Sequence, residues 1–405
     1  MGLFPFTVNA SNGSLAMVGG KYYDSLEKAI ANSGSNEVVK LISDVKLDDT
    51  LNINKTVNID LNGNNITAPS MVFKVSGGVL NINGSGIIRE TEPNYGAIAV
   101  IGSTDSNDNN YSIVNVGSDV KLEGWSGIFI THDSYKSYGV VVNLEGDINA
   151  VNDVNGDTGI GVYVNGNIKD TDNAPVVNIG DDAEITSTGN GLYIAGYSTF
   201  NIGSAYIEGT ESGIAIKSGK LNIDGASVVS DGEDKTPTEG YNNGVKASGT
   251  AIQIESNSGY AGQIELDISD GTFVSKNSYV IYEYIGKGSD TTVDSIDISG
   301  GTFVSDGEKP VFGLSNSFKS MHTNFIRGGE YSSDPSDYLK PGYTAVQDDA
   351  VYIVTSSSTK LVNGSNINTN DSNGLLKIIT ITVVIGSAIL LGYMNRDKIL
   401  NLFRR

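Results

Sequence analysis

Phe200 to Ser230 reads FNIGSAYIEGTESGIAIKSGKLNIDGASVVS. It contains a unit that returns: Phe200-Asn201-Ile202-Gly203 is followed 21 residues later by Leu221-Asn222-Ile223-Asp224-Gly225. Two shorter alternations lie between them, Ala205/Ile207 and Ile214/Ile216, separated by Gly209 and Gly213. Strict alternation puts successive side chains on opposite faces, so each piece reads as a half-buried strand. Strand, turn, strand, turn, strand, turn and then the first strand again describes one coil of a solenoid.

Working outward, the same unit recurs: an Asn or Asp between two apolar residues, with Gly soon after. It stands at Leu80 to Gly84, Val114 to Gly117, Val142 to Gly146, Val177 to Gly180, Leu266 to Gly271 and Ile296 to Gly301. The central positions 81, 115, 143, 178, 201, 222, 267 and 297 are separated by 34, 28, 35, 23, 21, 45 and 30 residues. The shortest gaps fit one three-sided coil, and the longer ones a coil carrying a loop. With Phe200 to Ser230 as the ruler, the excess length falls at 85–113, 124–140, 147–175 and 231–262. No coil can bury its own apolar face, so the coils must share one continuous core. About ten coils spaced by about 4.8 Å predict a rod about 50 Å long.

The ends read differently. Lys21 to Gly34 (KYYDSLEKAIANSG) predicts a capping helix, with Asp24 and Glu27 as a capping box and Leu26, Ala29 and Ile30 as its apolar face. Strands are expected at 37–42, 51–53 and 57–61, and the array closes with Tyr352 to Val354. Thr355 to Gly374 is a Ser/Asn/Thr-rich stalk, so the β-helix is taken as 21–355 and the stalk as 356–374. Residues 375–394 centre on an uncharged run, IITITVVIGSAILLGYM, long enough with its flanks to span a core of about 30 Å. Residues 395–405 carry a net charge of +3 and are assigned to the cytoplasmic side. That topology needs an export signal. Within 1–20, Leu3-Phe4-Pro5-Phe6 followed by Val8-Asn9-Ala10 reads as the remnant (1–10) of a cleaved signal peptide.

Composition narrows the function classes. The 405 residues include 50 Gly, 8 Pro and no Cys, which fits many tight turns and excludes disulfides and thiolate metal sites. Five of the 26 basic residues and one of the 47 acidic residues lie from Leu375 on, so the preceding part carries a net −25. Such a surface repels phosphate backbones, and no nucleic-acid partner is expected.

These features together resemble a pectate-lyase-like right-handed single-stranded parallel β-helix. More narrowly, Tyr22 to Ile30 with Val57 to Gly63, and Gly328 to Tyr343, are similar to the opening and closing modules of β-helix repeat proteins on the surface of gut Firmicutes-type and other Gram-positive bacteria. The resemblance covers about residues 18–355. It implies an all-β solenoid and a cell-surface location, and one such scaffold carries many activities.

Enzymes of this fold class use carboxylates or carboxylate-bound calcium on acidic polysaccharides. The catalytic candidates are His132, Asp133, Asp181 and Asp182. The Gly-His-Gly and Arg-x-Lys tripeptides of the family's polygalacturonases are absent, and Arg89 and Arg327 are the two arginines before residue 375. Asp153, Asn155 and Asp157 are spaced like the start of a calcium loop, but position twelve is Val164 rather than Glu. Calcium there would pin a loop. Aromatic candidates for a ligand face are Trp125, Tyr135, Tyr138, Tyr279, Tyr282 and Tyr284.

The expectation is a surface protein held in the cytoplasmic membrane by its C-terminal span. It presents loops for adhesion or for recognition of a glycan or host-surface protein, without catalysis and without a cofactor. The alternatives are a surface-held polysaccharide lyase or glycoside hydrolase, and a structural spacer.

Overall fold

The computed structural model describes residues 13–92, 96–131, 137–151, 158–166, 172–236, 247–260 and 262–357. The chain divides into two units, Met1–Val354 and Thr355–Arg405. The signal remnant at 1–10, the span at 375–394 and the tail at 395–405 lie outside the described residues, as does the stalk beyond Ser357. Among the described residues no helix is long and apolar enough to cross a membrane.

The first unit is all-β and solenoid-like, built of long, mostly parallel sheets of stacked strands. Three strands recur in a cycle. Ser112–Val116 and Val120–Glu123 belong to a 23-stranded sheet, and Ser126–Thr131 to a 10-stranded one. Val140–Leu144, Asp147–Ala150 and Ile160–Asn165 repeat the order. Each pairs in parallel with its counterpart one cycle on. Thus Val142, Asn143 and Leu144 face Val177, Asn178 and Ile179, Ile148 faces Ile185, and Val162 faces Leu192.

This register turns sequence alternation into rows. Val142, Val177, Phe200 and Leu221 stack inward, as do Leu144, Ile179, Ile202 and Ile223. All eight are buried, and one hydrophobic cluster runs from Ala16 to Val354. Each buried aliphatic side chain contributes about 1.5–3 kcal/mol, but only because the coils above and below cover it. Near the C-terminal end Phe273, Phe303 and Tyr331 form an internal stack with ring centroids 4.8 and 4.9 Å apart.

The Asn between the two inward residues points outward, and successive copies bond to one another. The Nδ2 of Asn81 donates to Asn58 Oδ1 at 2.7 Å, Asn115 to Asn81 at 2.6 Å and Asn143 to Asn115 at 2.6 Å. Asn178 donates to Asn143 at 2.8 Å, Asn201 to Asn178 at 2.8 Å and Asn222 to Asn201 at 2.9 Å. Asn58 closes the first end on the carbonyls of Ser35 and Glu37. The ladder stops where the sequence changes to Asp: Asn222 faces Asp267, and Asp267 faces Asp297. Asp297 is held by Lys340 at 2.5 Å and Arg327 at 3.1 Å. Burial alone would raise its carboxyl, but these two cations outweigh burial and keep it below its ordinary value.

Both ends are covered. Ala16–Val18 pairs antiparallel with Lys21–Tyr23 and with Val38–Leu41, so the predicted helix start is strand instead. The helix itself is Leu26–Asn32, capped by Ser25, whose side chain accepts from the Lys28 amide. Asp24 is therefore not the cap, and it pairs with Lys28 at 2.8 Å one turn on. Leu26, Ala29 and Ile30 are buried as the apolar face requires. At the other end Val351–Ser356 pairs antiparallel with Glu330–Tyr331, and a short helix, Asn316–Met321, buries Phe318.

The stretch from Gly219 to Ser230 is one 12-residue strand rather than two strands and a turn. Register shifts around Asp224 absorb Gly225, whose φ of 100° is the left-handed value of a bulge glycine. The excess lengths are also partly strand. Ile98–Ile101, Ser126–Thr131, Ile160–Asn165 and Thr250–Asn257 all belong to the smaller sheet. Its strands lack the Asn unit, which is why a ruler built on that unit counted them as loop.

Candidate functional site

The outer face of the smaller sheet collects most of the chemistry. One outward row runs Phe129, Tyr163, Tyr193, Ala215, Gln253, Tyr282, Gly313, each opposite the next. Phe129, Tyr163 and Tyr193 stack with centroids 4.8 and 5.1 Å apart, because parallel strands set the same position of each coil at about that spacing. Trp125 packs against Phe129 and Tyr163 at 6.5 and 5.7 Å, and its indole N–H is buried with no hydrogen-bond partner among the described residues. Rings stacked in this way present mainly their edges outward.

Tyr279, Tyr282 and Tyr284 come together in a second group, with centroids 5.5 and 5.9 Å apart. Here the row ends. The residue opposite Tyr282 on the next coil is Gly313, which has no side chain, and the Tyr279 ring fills the place where one would stand, 2.5 Å from the position of its Cβ. Beside this cluster runs a groove of 660 Å³ lined by the three tyrosines, Phe312, Leu314, Ser315, Asn316 and Lys319. Lys309 places its Nζ 5.0 Å from the Tyr279 ring centroid and 3.2 Å from Asp234. Burial raises the Tyr282 and Tyr284 phenols above the ordinary value, reinforced at Tyr282 by its neighbour Tyr279 and at Tyr284 by the charge of Glu255. The groove thus offers aromatic surface, the polar side chains of Ser315 and Asn316, and nearby lysines. A second groove, of 370 Å³, follows the asparagine ladder past Asn201, Asn222, Asp224 and Asp267 and has no aromatic wall.

Between the two aromatic groups lies a buried polar network. Lys217 Nζ meets Glu255 Oε2 at 2.6 Å, with the side chains 5% and 1% exposed. The same nitrogen lies 4.9 Å from the Tyr193 ring centroid and 5.4 Å from that of Tyr260. Glu255 also accepts from Tyr284 Oη at 2.8 Å and from Asn257 Nδ2 at 2.7 Å. Asn257 Oδ1 accepts the Gly259 backbone N–H at 2.8 Å. Gly286 makes room, since a Cβ there would stand 2.6 Å from Glu255 Oε1. The Tyr193 and Tyr260 phenols are each pushed up to about 12, chiefly by burial. On the inner side Glu283 accepts from Ser256 Oγ at 2.6 Å and from the Ser315 amide at 3.2 Å.

The other sequence candidates lie apart. Asp181 and Asp182 are exposed in a turn of the larger sheet, where Asp181 accepts the Ser204 amide at 3.0 Å as a turn cap. Tyr138 is buried against Tyr197 and Ala174. His132, Asp133, Tyr135, Asp153, Asn155 and Asp157 lie outside the described residues. Among the described residues no three His, Asp or Glu side chains converge to hold a metal.

The sequence reading missed Phe129, Tyr163, Tyr193, Lys217, Glu255 and Tyr260. A signal for the stack exists: Gly127-Ile-Phe-Ile130, Gly161-Val-Tyr-Val164 and Gly191-Leu-Tyr-Ile194 repeat Gly-apolar-aromatic-apolar, and Gly213-Ile-Ala-Ile216 breaks the series with Ala. No protein-family model, curated protein or solved structure matches this chain. The functional reading therefore rests on its own residues.

Proposed function

We propose that this chain is a right-handed parallel β-helix displayed on a bacterial surface, and that the tyrosine-walled groove at the end of its smaller sheet binds a glycan. The observation that carries the reading is the groove of 660 Å³ in which three tyrosines meet the polar side chains of Ser315, Asn316 and Lys319. Aromatic walls with a few hydrogen-bonding groups suit a sugar, whose C–H faces are apolar and whose rims are hydroxyls. Right-handed winding is the sense that parallel strands with short connections adopt almost without exception. Anchorage by residues 375–394, tail inward, is supported by the uncharged run and the basic residues after it.

The test is a glycan-array screen of the full chain in detergent, run beside a depolymerisation assay on acidic and neutral polysaccharides. The reading expects saturable binding to a defined glycan, weakened at least tenfold in Tyr282→Ala, with no cleavage. Cleavage of a polysaccharide would favour the lyase or hydrolase alternative. Blank results in both assays would leave the spacer.

A further inference from the structure

We propose that Lys217 and Asn257 become joined by an amide bond between their side chains, with Glu255 moving the protons. Three features of the buried network point there. The amine and the carboxamide are held by one carboxylate: Lys217 Nζ is 2.6 Å from Glu255 Oε2, and Asn257 Nδ2 is 2.7 Å from Glu255 Oε1. The two oxygens of a carboxylate share one carbon, so nucleophile and target are bound to the same group. The Gly259 N–H, 2.8 Å from Asn257 Oδ1, sits where negative charge develops when that carbonyl is attacked. The site is shielded from solvent: Lys217, Glu255 and Asn257 are each at least 95% buried, with the rings of Tyr193 and Tyr260 beside the amine.

The local backbone serves this geometry. Glu255 and Asn257 are two apart on a strand and share its outer face. The register shift between Ser256 and Asn257 skips Gly286 of the next strand, so Asn257 stands opposite Lys287. Lys217 directly follows the neighbouring strand Ser212–Ile216, one coil back.

The step balances without any outside reagent. Lys217 passes one proton to Glu255 Oε2, which removes both buried charges at once. The neutral amine attacks Asn257 Cγ, and Oδ1 takes the negative charge opposite Gly259. Glu255 then protonates Nδ2, the Cγ–Nδ2 bond breaks and ammonia leaves. The nitrogen of Lys217 gives its excess proton back to the carboxylate and is left as a neutral amide N–H. Ammonia carries that last proton away as ammonium. Holding both reacting groups on one buried carboxylate supplies the rate that the free groups lack in water.

The bond would tie two successive coils across the insertion 231–249, in a chain with no cysteine to do so. The test is the intact mass of the purified, folded full chain, followed by peptide mapping. The wild type is expected to weigh one ammonia less than its sequence requires, with the Lys217 and Asn257 peptides recovered as one cross-linked species. Lys217→Arg keeps the charge but lacks the amine, and Glu255→Gln lacks the proton carrier. Both should retain the full mass, with folding checked by circular dichroism. A folded wild type of full mass with separate peptides overturns the proposal, whether or not Glu255→Gln folds. So does loss of ammonia at Asn257 in Lys217→Arg, since the same mass change then arises from Asn257 alone.

Discussion

The asparagine ladder makes a graded prediction. Asn143 lies in its middle, donating to Asn115 and accepting from Asn178, so Asn143→Ala removes two hydrogen bonds. Asn222 is its last member and makes one such bond, to Asn201. A net hydrogen bond contributes about 0.5–1.5 kcal/mol, so Asn143→Ala should cost about 2 kcal/mol and Asn222→Ala about 1 kcal/mol. Asp267→Asn works in the opposite direction. A carboxylate there meets the acceptor oxygen of Asn222 on one side and Asp297 on the other. An amide could donate to Asn222 Oδ1 and extend the ladder by one step. It would also remove one of two like charges directly opposite each other, for a gain of about 1 kcal/mol. The assay is urea unfolding of the four proteins under one condition, read as midpoint and slope. Equal losses in the two Ala variants would refute a chain of additive bonds. A neutral or destabilising Asp267→Asn would refute the account of why the ladder stops.

Three further outcomes follow from the geometry. Phe303 is fully buried between Phe273 and Tyr331, so Phe303→Ala should cost about 3–5 kcal/mol and lower the urea midpoint more than any ladder variant. Tyr193 and Tyr260 keep their protons in the folded state up to about pH 12, while the unfolded chain releases them near 10. The native state therefore holds more protons in that window, and stability should fall as pH rises from 10 to 12; unfolding midpoints flat across the window would contradict this. Finally, deleting residues 375–405 should move the protein from the membrane pellet to the soluble fraction of producing cells, and continued pelleting would remove the case for a C-terminal anchor.

The strands of the larger sheet were legible because their alternation is regular and their outward Asn marks the register. Val142-Asn-Leu and Val177-Asn-Ile announce both the inward residues and the row that becomes the ladder. The strands of the smaller sheet were harder to see. Thr250–Asn257 alternates at Ile252-Gln-Ile-Glu255, but it carries no Asn unit and lies inside the long excess stretch, and the burial of its polar residues Gln253 and Glu255 is not announced by their type. The helix cap was displaced by one residue because Asp24 and Ser25 are both good caps, and only the backbone shows which one is extended at the helix start.

The tyrosine cluster divides along the same line. That Tyr279, Tyr282 and Tyr284 lie close together follows from their spacing alone, since positions 282 and 284 share one face of a strand. That Tyr279 packs beside Tyr282 as it does depends on Gly313, 31 residues beyond Tyr282, whose missing side chain leaves room for the Tyr279 ring. Likewise, nothing in the sequence links Lys217 to Glu255 and Asn257 across 38 and 40 residues and an insertion. By itself the sequence determined that strands form, which side chains face inward and that the coils must stack to bury them, because period-two alternation is local. Only the tertiary structure decided which outward residues meet, because parallel stacking pairs each position with the one a full coil away. The number of residues in that coil varies with every loop, and the spacing between strands does not.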